Sequence, residues 1–176
     1  MTAALGRLLQ NISKGSDKIS IYEEMSLLDD YVLIQDIRYD GRLNVRYHIG
    51  DPEITQALIL KFLFQPIVEN ALFHGIEPKG CAGRIVIEAY EAAAPDGKPL
   101  LKVSVTDNGI GMTEEIMKKV LTGEVDSSAE FFRHVGINNV NKRIQYDFGE
   151  DYGITIQSET GENSYTVMTI ILPYIT

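Results

Sequence analysis

Apolar and polar residues alternate or recur at helical spacing along nearly the whole chain. In 2–12, Leu5, Leu8, Leu9 and Ile12 fall at i, i+3, i+4 and i+7, the stripe of a short amphipathic helix. Residues 13–18 read as a turn. Ser20 and Glu23 stand in the capping-box relation and predict a helix over about 20–38, with Met25, Leu28, Val32 and Gln35 on one face and Asp29, Asp30 and Asp36 in solvent. Residues 42–49 alternate as a strand does, and 51–53 break the chain. A long apolar helix is expected over about 58–74, where Pro66 must kink it or mark its true start. After a loop at 80–83, Ile85, Ile87 and Ala89 alternate with Arg84, Glu88 and Tyr90, so 84–91 is a strand. It connects through 92–99 to a returning strand at 100–107. Thr113 is placed to cap a helix over 114–121, with Glu114 and Glu115 at its positive end. Residues 122–135 show no clear period and are expected to be irregular. Gly136 then leads into a helix over 137–147, and strands at 153–158 and 165–172 close the chain before Pro173.

One-sided strands joined by hairpins and helices predict an α+β fold. The expected form is a two-layer sandwich whose mixed, mostly antiparallel sheet is covered by helices on one face. A length of 176 residues fits one domain. The net charge of −9 argues against nucleic-acid binding through a broad basic face, though not against a phosphate ligand accompanied by a metal ion. One cysteine, Cys81, allows no internal disulfide. The longest apolar run, 57–64, is interrupted by Lys61 and is too short for a membrane span, so a soluble polypeptide is expected.

Three stretches carry candidate chemistry. In 65–75, Glu69 and Asn70 sit within an apolar helical pattern, and Asn70 and His74, four apart, share a face. A buried amide there needs a partner or costs about 1–3 kcal/mol. Residues 107–112 end an apolar strand with an acid, an amide, two glycines and Met112, the composition of a backbone passing close to another body. The third stretch, 135–140, combines Gly136 and Ile137 with two asparagines.

Together these stretches resemble the nucleotide-binding domain shared by sensor histidine kinases, gyrase, Hsp90 and MutL, the GHKL fold, and in particular sensor histidine kinases of the LytS/YesM type. The first motif is Gln65-Pro66-Ile67-Val68-Glu69-Asn70-Ala71 with His74-Gly75. The second is Asp107, Gly109 and Gly111. The third is Gly136 followed by Asn139-Val140 and Arg143-Ile144. They occur in order over about 5–173.

The resemblance implies a set of roles. Asn70 would ligate Mg²⁺ through its amide oxygen, since magnesium keeps several waters and needs few protein ligands. Asp107 would accept from the adenine 6-amino group. Gly109 and Gly111 would let the backbone turn beneath the base, and Met112 would touch the ring. Gly136 and Ile137, at the start of a helix, would offer N–H groups to phosphates, with 122–135 a lid over ATP. His74 and Thr166 would complete the nucleotide contacts, and Glu69 would orient a neighbour or a metal-bound water. Relatives that hydrolyse ATP carry a glutamate four residues before the asparagine. Here Pro66 stands there, which speaks against a stand-alone ATPase.

The sequence also departs from the family pattern at Phe73, where a basic residue is common, and at His134 and Tyr165, where glycines are usual. These changes frame an alternative, a degenerate module that docks or dimerises with little nucleotide binding. None of His48, His74 and His134 has the setting of a phosphoacceptor. The expectation is therefore a catalytic domain over 18–176, with 1–17 the tail of a preceding helical region. By the same resemblance, the intact protein would be a membrane-anchored homodimer with its catalytic domain in the cytoplasm. It would pass phosphate from ATP to a histidine on upstream helices and then to a response regulator.

Overall fold

The computed structural model describes residues 17–80, 82–124 and 128–176, with the side chains of 128–135 left aside. The predicted helix at 2–12 and Cys81 lie outside the described residues. Strand β1 (Lys18–Ser20) leads into helix α1 (Ile21–Arg38), then β2 (Leu43–Ile49), a 3-10 turn (Pro52–Gln56) and β3 (Leu58–Leu60). Helix α2 (Phe64–Asn70) continues through a π-helical stretch (Ala71–Ile76) into a last turn, α3 (Glu77–Lys79). The hairpin β4 (Gly83–Ala93) and β5 (Pro99–Asp107) follows, then α4 (Glu114–Thr122), α5 (Ser128–Phe148), β6 (Gly153–Glu159) and β7 (Tyr165–Pro173).

Five strands form one sheet in the order β2-β4-β5-β7-β6. Only the β2–β4 pair is parallel, and the other three pairs are antiparallel. The inward set is the one the alternation predicts: Ile85, Ile87 and Ala89 on β4, Leu101, Val103 and Val105 on β5, and Met168, Ile170 and Leu172 on β7 are all buried. Against them pack Leu28 of α1, Ile67 and Val68 of α2, Leu72 beyond it, and Ile137, Val140 and Ile144 of α5. The result is the expected two-layer α+β sandwich.

Local chemistry accounts for the element boundaries. Ser20 caps α1 through the complete capping box with Glu23. Of the acids expected in solvent on α1, Asp30 is instead buried, Asp29 accepts from the Tyr47 hydroxyl at 2.7 Å, and Asp36 accepts from the Leu43 N–H at 3.1 Å. Helical periodicity cannot report such tertiary partners.

The expected long helix over 58–74 is divided. Leu58–Leu60 forms a strand antiparallel to β1, and the helix starts at Phe64, which puts Pro66 in its first turn, where a proline is tolerated. Between them the chain reverses with Phe62 in the left-handed region at φ 61°. Glu24 of α1 stabilises that reversal: its two carboxylate oxygens accept from the N–H groups of Phe62 (2.9 Å) and Phe64 (3.0 Å). Burial raises the Glu24 carboxyl above its ordinary range, while these backbone donors pull the other way.

Gly136, expected to lead into a helix, does not open one. Helix α5 already begins at Ser128, so Gly136 lies well inside it and half of the stretch expected to be irregular is helical. One glycine costs a helix only about 1 kcal/mol relative to alanine, too little to end a helix of 21 residues.

Candidate functional site

The site is organised by the helix that runs from Phe64 to Lys79. Asn70 ends its α-helical part, is 5% exposed, and its Oδ1 has no hydrogen-bond partner among the described residues. An orphaned buried acceptor costs about 1–3 kcal/mol, so it marks a position kept for something else. The helix changes to π winding immediately after it, a feature often found at functional sites. Glu69 accepts from Gln65 Nε2 at 2.9 Å, and its charge, after burial, helps raise the Tyr31 phenol well above its usual range. Glu69 thus faces α1, about 100° around the helix from Asn70. His74 is half-buried in the π stretch.

Asp107 ends β5, in register with Ile85 on one side and Thr166 on the other. It is 4% exposed. Its Oδ1 accepts from the Gly109 N–H at 2.7 Å. Burial pushes the carboxyl from its ordinary 3.8 up to about 6, against the opposing effects of that hydrogen bond and of the Lys79 charge.

Two glycines join the asparagine helix to the aspartate loop. A Cβ at Gly75 would stand 2.8 Å from Asp107 Oδ1, and a Cβ at Gly109 would run into the backbone of Gly75. The Ile110 N–H donates to the Gly75 carbonyl at 3.0 Å. Helix and loop therefore pack backbone to backbone beside Asp107, five residues along the helix from Asn70. Gly111, at φ 74°, is required for a different reason: a Cβ there would collide with the Glu159 carbonyl at the end of β6. Met112 is buried in the core, and its N–H donates to Ser158 Oγ at 2.8 Å. Ser158 Oγ also donates to the Tyr165 carbonyl at 2.6 Å and lies 3.0 Å from Thr166 Oγ1. The buried Thr166 hydroxyl is thus tied to the same loop.

Several residues that hold this loop escaped the sequence reading. Lys79 Nζ lies within hydrogen-bonding distance of the carbonyls of Asn108 (2.8 Å) and Gly109 (3.2 Å) and of Ser164 Oγ (2.9 Å). Ser164 Oγ in turn donates to the Gly109 carbonyl at 2.6 Å. The Asn108 side chain accepts from the Arg84 N–H and donates to the Ala82 carbonyl, locking the loop to β4. In this network Asn108 and Gly109 belong to the second motif, whereas Lys79 and Ser164 left no trace in the sequence.

The third stretch meets the same helix. At Gly136 a Cβ would find only Pro66 Cβ, at 3.7 Å. Ile137 is buried in the core and Asn138 donates to the Leu121 carbonyl, which fastens α5 to α4. Because Gly136 is internal to α5, the expected helix-end donors for phosphate are not found at Gly136 and Ile137. The side chain of His134 lies outside the described residues.

The residues fit a magnesium nucleotide in chemical type. Asn70 Oδ1 is a neutral, buried, unpartnered oxygen, and Asp107 is a buried carboxylate with acceptor capacity left after Gly109. Among the described residues no three His, Cys, Asp or Glu side chains gather to form a metal cage. A divalent ion here would therefore rest on Asn70 and on phosphate oxygens.

This sandwich and motif order define a nucleotide-binding domain of one superfamily. The chain belongs to the family of histidine kinase-, DNA gyrase B- and HSP90-like ATPases, whose profile matches residues 55–175. It is 35% identical to the sensor histidine kinase YesM of Bacillus subtilis (strain 168) over 97% of this chain and 27% of that protein. It is 30% identical to the sensor histidine kinase BtsS of Escherichia coli (strain K12) over 94% of this chain and 26% of that one. The chain thus spans about a quarter of the length of these curated relatives. Among solved structures, the catalytic domain of histidine kinase ThkA superposes with a TM-score of 0.59 at 18% identity, covering 90% of this chain and 96% of that one. The mycobacterial sensor histidine kinase MprB gives 0.58 at 13% identity, covering 90% and 97%. The fold is that of histidine kinase catalytic domains.

Proposed function

We propose that this chain is the ATP-binding catalytic unit of a sensor histidine kinase, a folded unit over 18–176 that presents the γ-phosphoryl of Mg-ATP to a histidine elsewhere in the intact protein. The observation that carries this reading is the glycine-to-glycine junction of Gly75 and Gly109. It fixes a buried unpartnered amide oxygen and a buried carboxylate on one helix–loop assembly. Asn70 would hold the magnesium ion and Asp107 the adenine amino group. Thr166 pairs with Asp107 across the sheet, and His74, four residues after Asn70, would reach the phosphates. At Gly109 and Gly111 a side chain would collide with the backbone of Gly75 and of Glu159, so both glycines keep the loop in place. Bound magnesium supplies charge neutralisation on the phosphates. The domain contributes position and electrostatics rather than a covalent intermediate of its own.

Pro66 occupies the place from which a carboxylate would activate water, so phosphoryl transfer to an imidazole is favoured over hydrolysis. In that transfer the bond from the γ-phosphorus to the bridging oxygen breaks and ADP departs, the lone-pair nitrogen of the imidazole forms the new bond to phosphorus, and the proton on the other ring nitrogen passes to water. By the same reading the intact protein is a membrane-anchored homodimer with this domain in the cytoplasm, and it hands the phosphoryl group on to a response regulator.

Calorimetric titration with ADP, in magnesium and in EDTA, tests the assignment. The parent chain should bind more tightly with magnesium, and Asn70→Ala should abolish that difference while still binding metal-free ADP. Absence of any binding at millimolar ADP would remove the reading.

A further inference from the structure

One face of the helix 64–79 is held from outside the nucleotide junction. Gln65, Glu69, Phe73 and Glu77 follow one another at four-residue spacing; Gln65 donates to Glu69, and the other three face α1 or its C-terminal cap. Tyr31 lies near Glu69. The Arg38 guanidinium sits 5.1 Å from the centroid of the Phe73 ring, and its Nη2 lies 3.3 Å from Glu77 Oε1. The Tyr39 hydroxyl donates to the other Glu77 oxygen at 3.2 Å. At the opposite end Glu24 accepts from the N–H of Phe62, just before the helix, and from that of Phe64, its first residue. Helix α1 lies wholly outside the residues matched by the ATPase family profile.

What this grip fixes follows from the π winding. A π stretch holds one more residue per closed turn than an α-helix, so relaxation to α winding would turn the segment after it by roughly 100° relative to the segment before it. Asn70 stands just before the stretch. Gly75, at the aspartate loop, is near its end, and Lys79, which holds that loop, lies just beyond. The π winding therefore sets the angle between the metal side and the adenine side of the site. Phe73, inside the stretch, and Glu77, just after it, both rest on Arg38.

We propose that Arg38 is a positioning residue for the nucleotide site: by stacking on Phe73 and pairing with Glu77 it holds the π winding that aligns Asn70 with the loop of Asp107. Helix α1, which precedes the residues matched by the family profile, is thereby coupled to the metal ligand. The contacts stand on their own. Their consequence for magnesium binding rests on the function proposed above. An exposed ion pair alone is weak. Here one guanidinium joins an aromatic face and a carboxylate that also receives Tyr39, so its removal frees Phe73 within the stretch and Glu77 just after it together.

Amide hydrogen exchange on the whole chain without nucleotide gives the first test. Arg38→Gln should accelerate exchange at Phe73–Ile76 about fivefold while β5 and β7 keep the parental rates, as local opening requires. Arg38→Lys, which retains the charge, should recover at least half of the loss. With nucleotide, Arg38→Gln should weaken Mg-ADP binding about fivefold and leave ADP in EDTA unchanged, the pattern of a residue acting through Asn70. Parental exchange at 73–76, equal acceleration throughout the sheet, or unaltered Mg-ADP affinity would each overturn the proposal. If the parent itself fails to bind Mg-ADP, the function reading fails, and the exchange comparison still decides whether Arg38 holds the π winding.

Discussion

A carboxylate at the buried end of β5 is a liability until a donor arrives. With the Asp107 carboxyl at about 6 in the fold against an ordinary 3.8, the native state binds more protons than the unfolded chain between these values. Its contribution to stability is therefore full below about pH 4 and is lost as pH rises through about 6, by at most roughly 3 kcal/mol. Denaturant melts should show Asp107→Asn to be more stable than the parent at pH 7.5 by about 1–3 kcal/mol, with the gap closing toward pH 4. Binding has the opposite sign, since the adenine amino group needs the ionised acceptor. Parental ADP affinity should fall toward tenfold per unit as pH drops below about 6, a dependence absent from Asp107→Asn when both are titrated calorimetrically. Asn70 and Asp107 were legible in the sequence because a polar residue inside an apolar pattern demands a partner. Lys79, Ser158 and Ser164 were not, because the loop atoms they hold between 108 and 112 lie 29 to 55 positions away and a lone lysine or serine carries no periodic signal.

Among the elements, caps and glycines make the sharpest distinctions. Ser20→Ala removes one capping box at an exposed helix start and should cost about 1 kcal/mol. Glu24→Ala leaves two N–H groups without their acceptor around the left-handed Phe62 and should cost on the order of 3 kcal/mol, read from the same melts. Gly109→Ala must separate the loop from Gly75, so it should lose nucleotide binding together with stability, unlike Asp107→Asn. The five strands of the main sheet and α1 were legible because their alternation and capping are local, whereas β1 lay where a turn and a helix start were expected. The strand Leu58–Leu60 was not legible, since three apolar residues before a helix look helical until β1 pairs with them. The π stretch also left no mark, because sequence periodicity does not separate one turn of π winding from α winding. The reach of α5 back to Ser128 was hidden by the weight given to Gly136.

At the scale of the molecule, the sandwich places its motif-bearing segments around one helix. Gly109 meets Gly75, and Gly136 meets Pro66. The order of the motifs in the sequence was legible; their convergence needed the sheet, which returns β5 and β7 to the same end. A ligand seated at that convergence binds only the folded chain. ADP with magnesium at about a hundred times its dissociation constant should therefore stabilise the fold by about 2.7 kcal/mol, raising the melting temperature by several degrees. The claim beneath all of this is that the buried carboxylate of Asp107 reads adenine. The most direct measurement is a calorimetric comparison of ADP and GDP, both with magnesium, on the parent chain and on Asp107→Asn. The account predicts that the parent prefers ADP at least tenfold and that the variant, still folded, loses that preference by losing ADP affinity. A folded Asp107→Asn that binds ADP as tightly as the parent would contradict it.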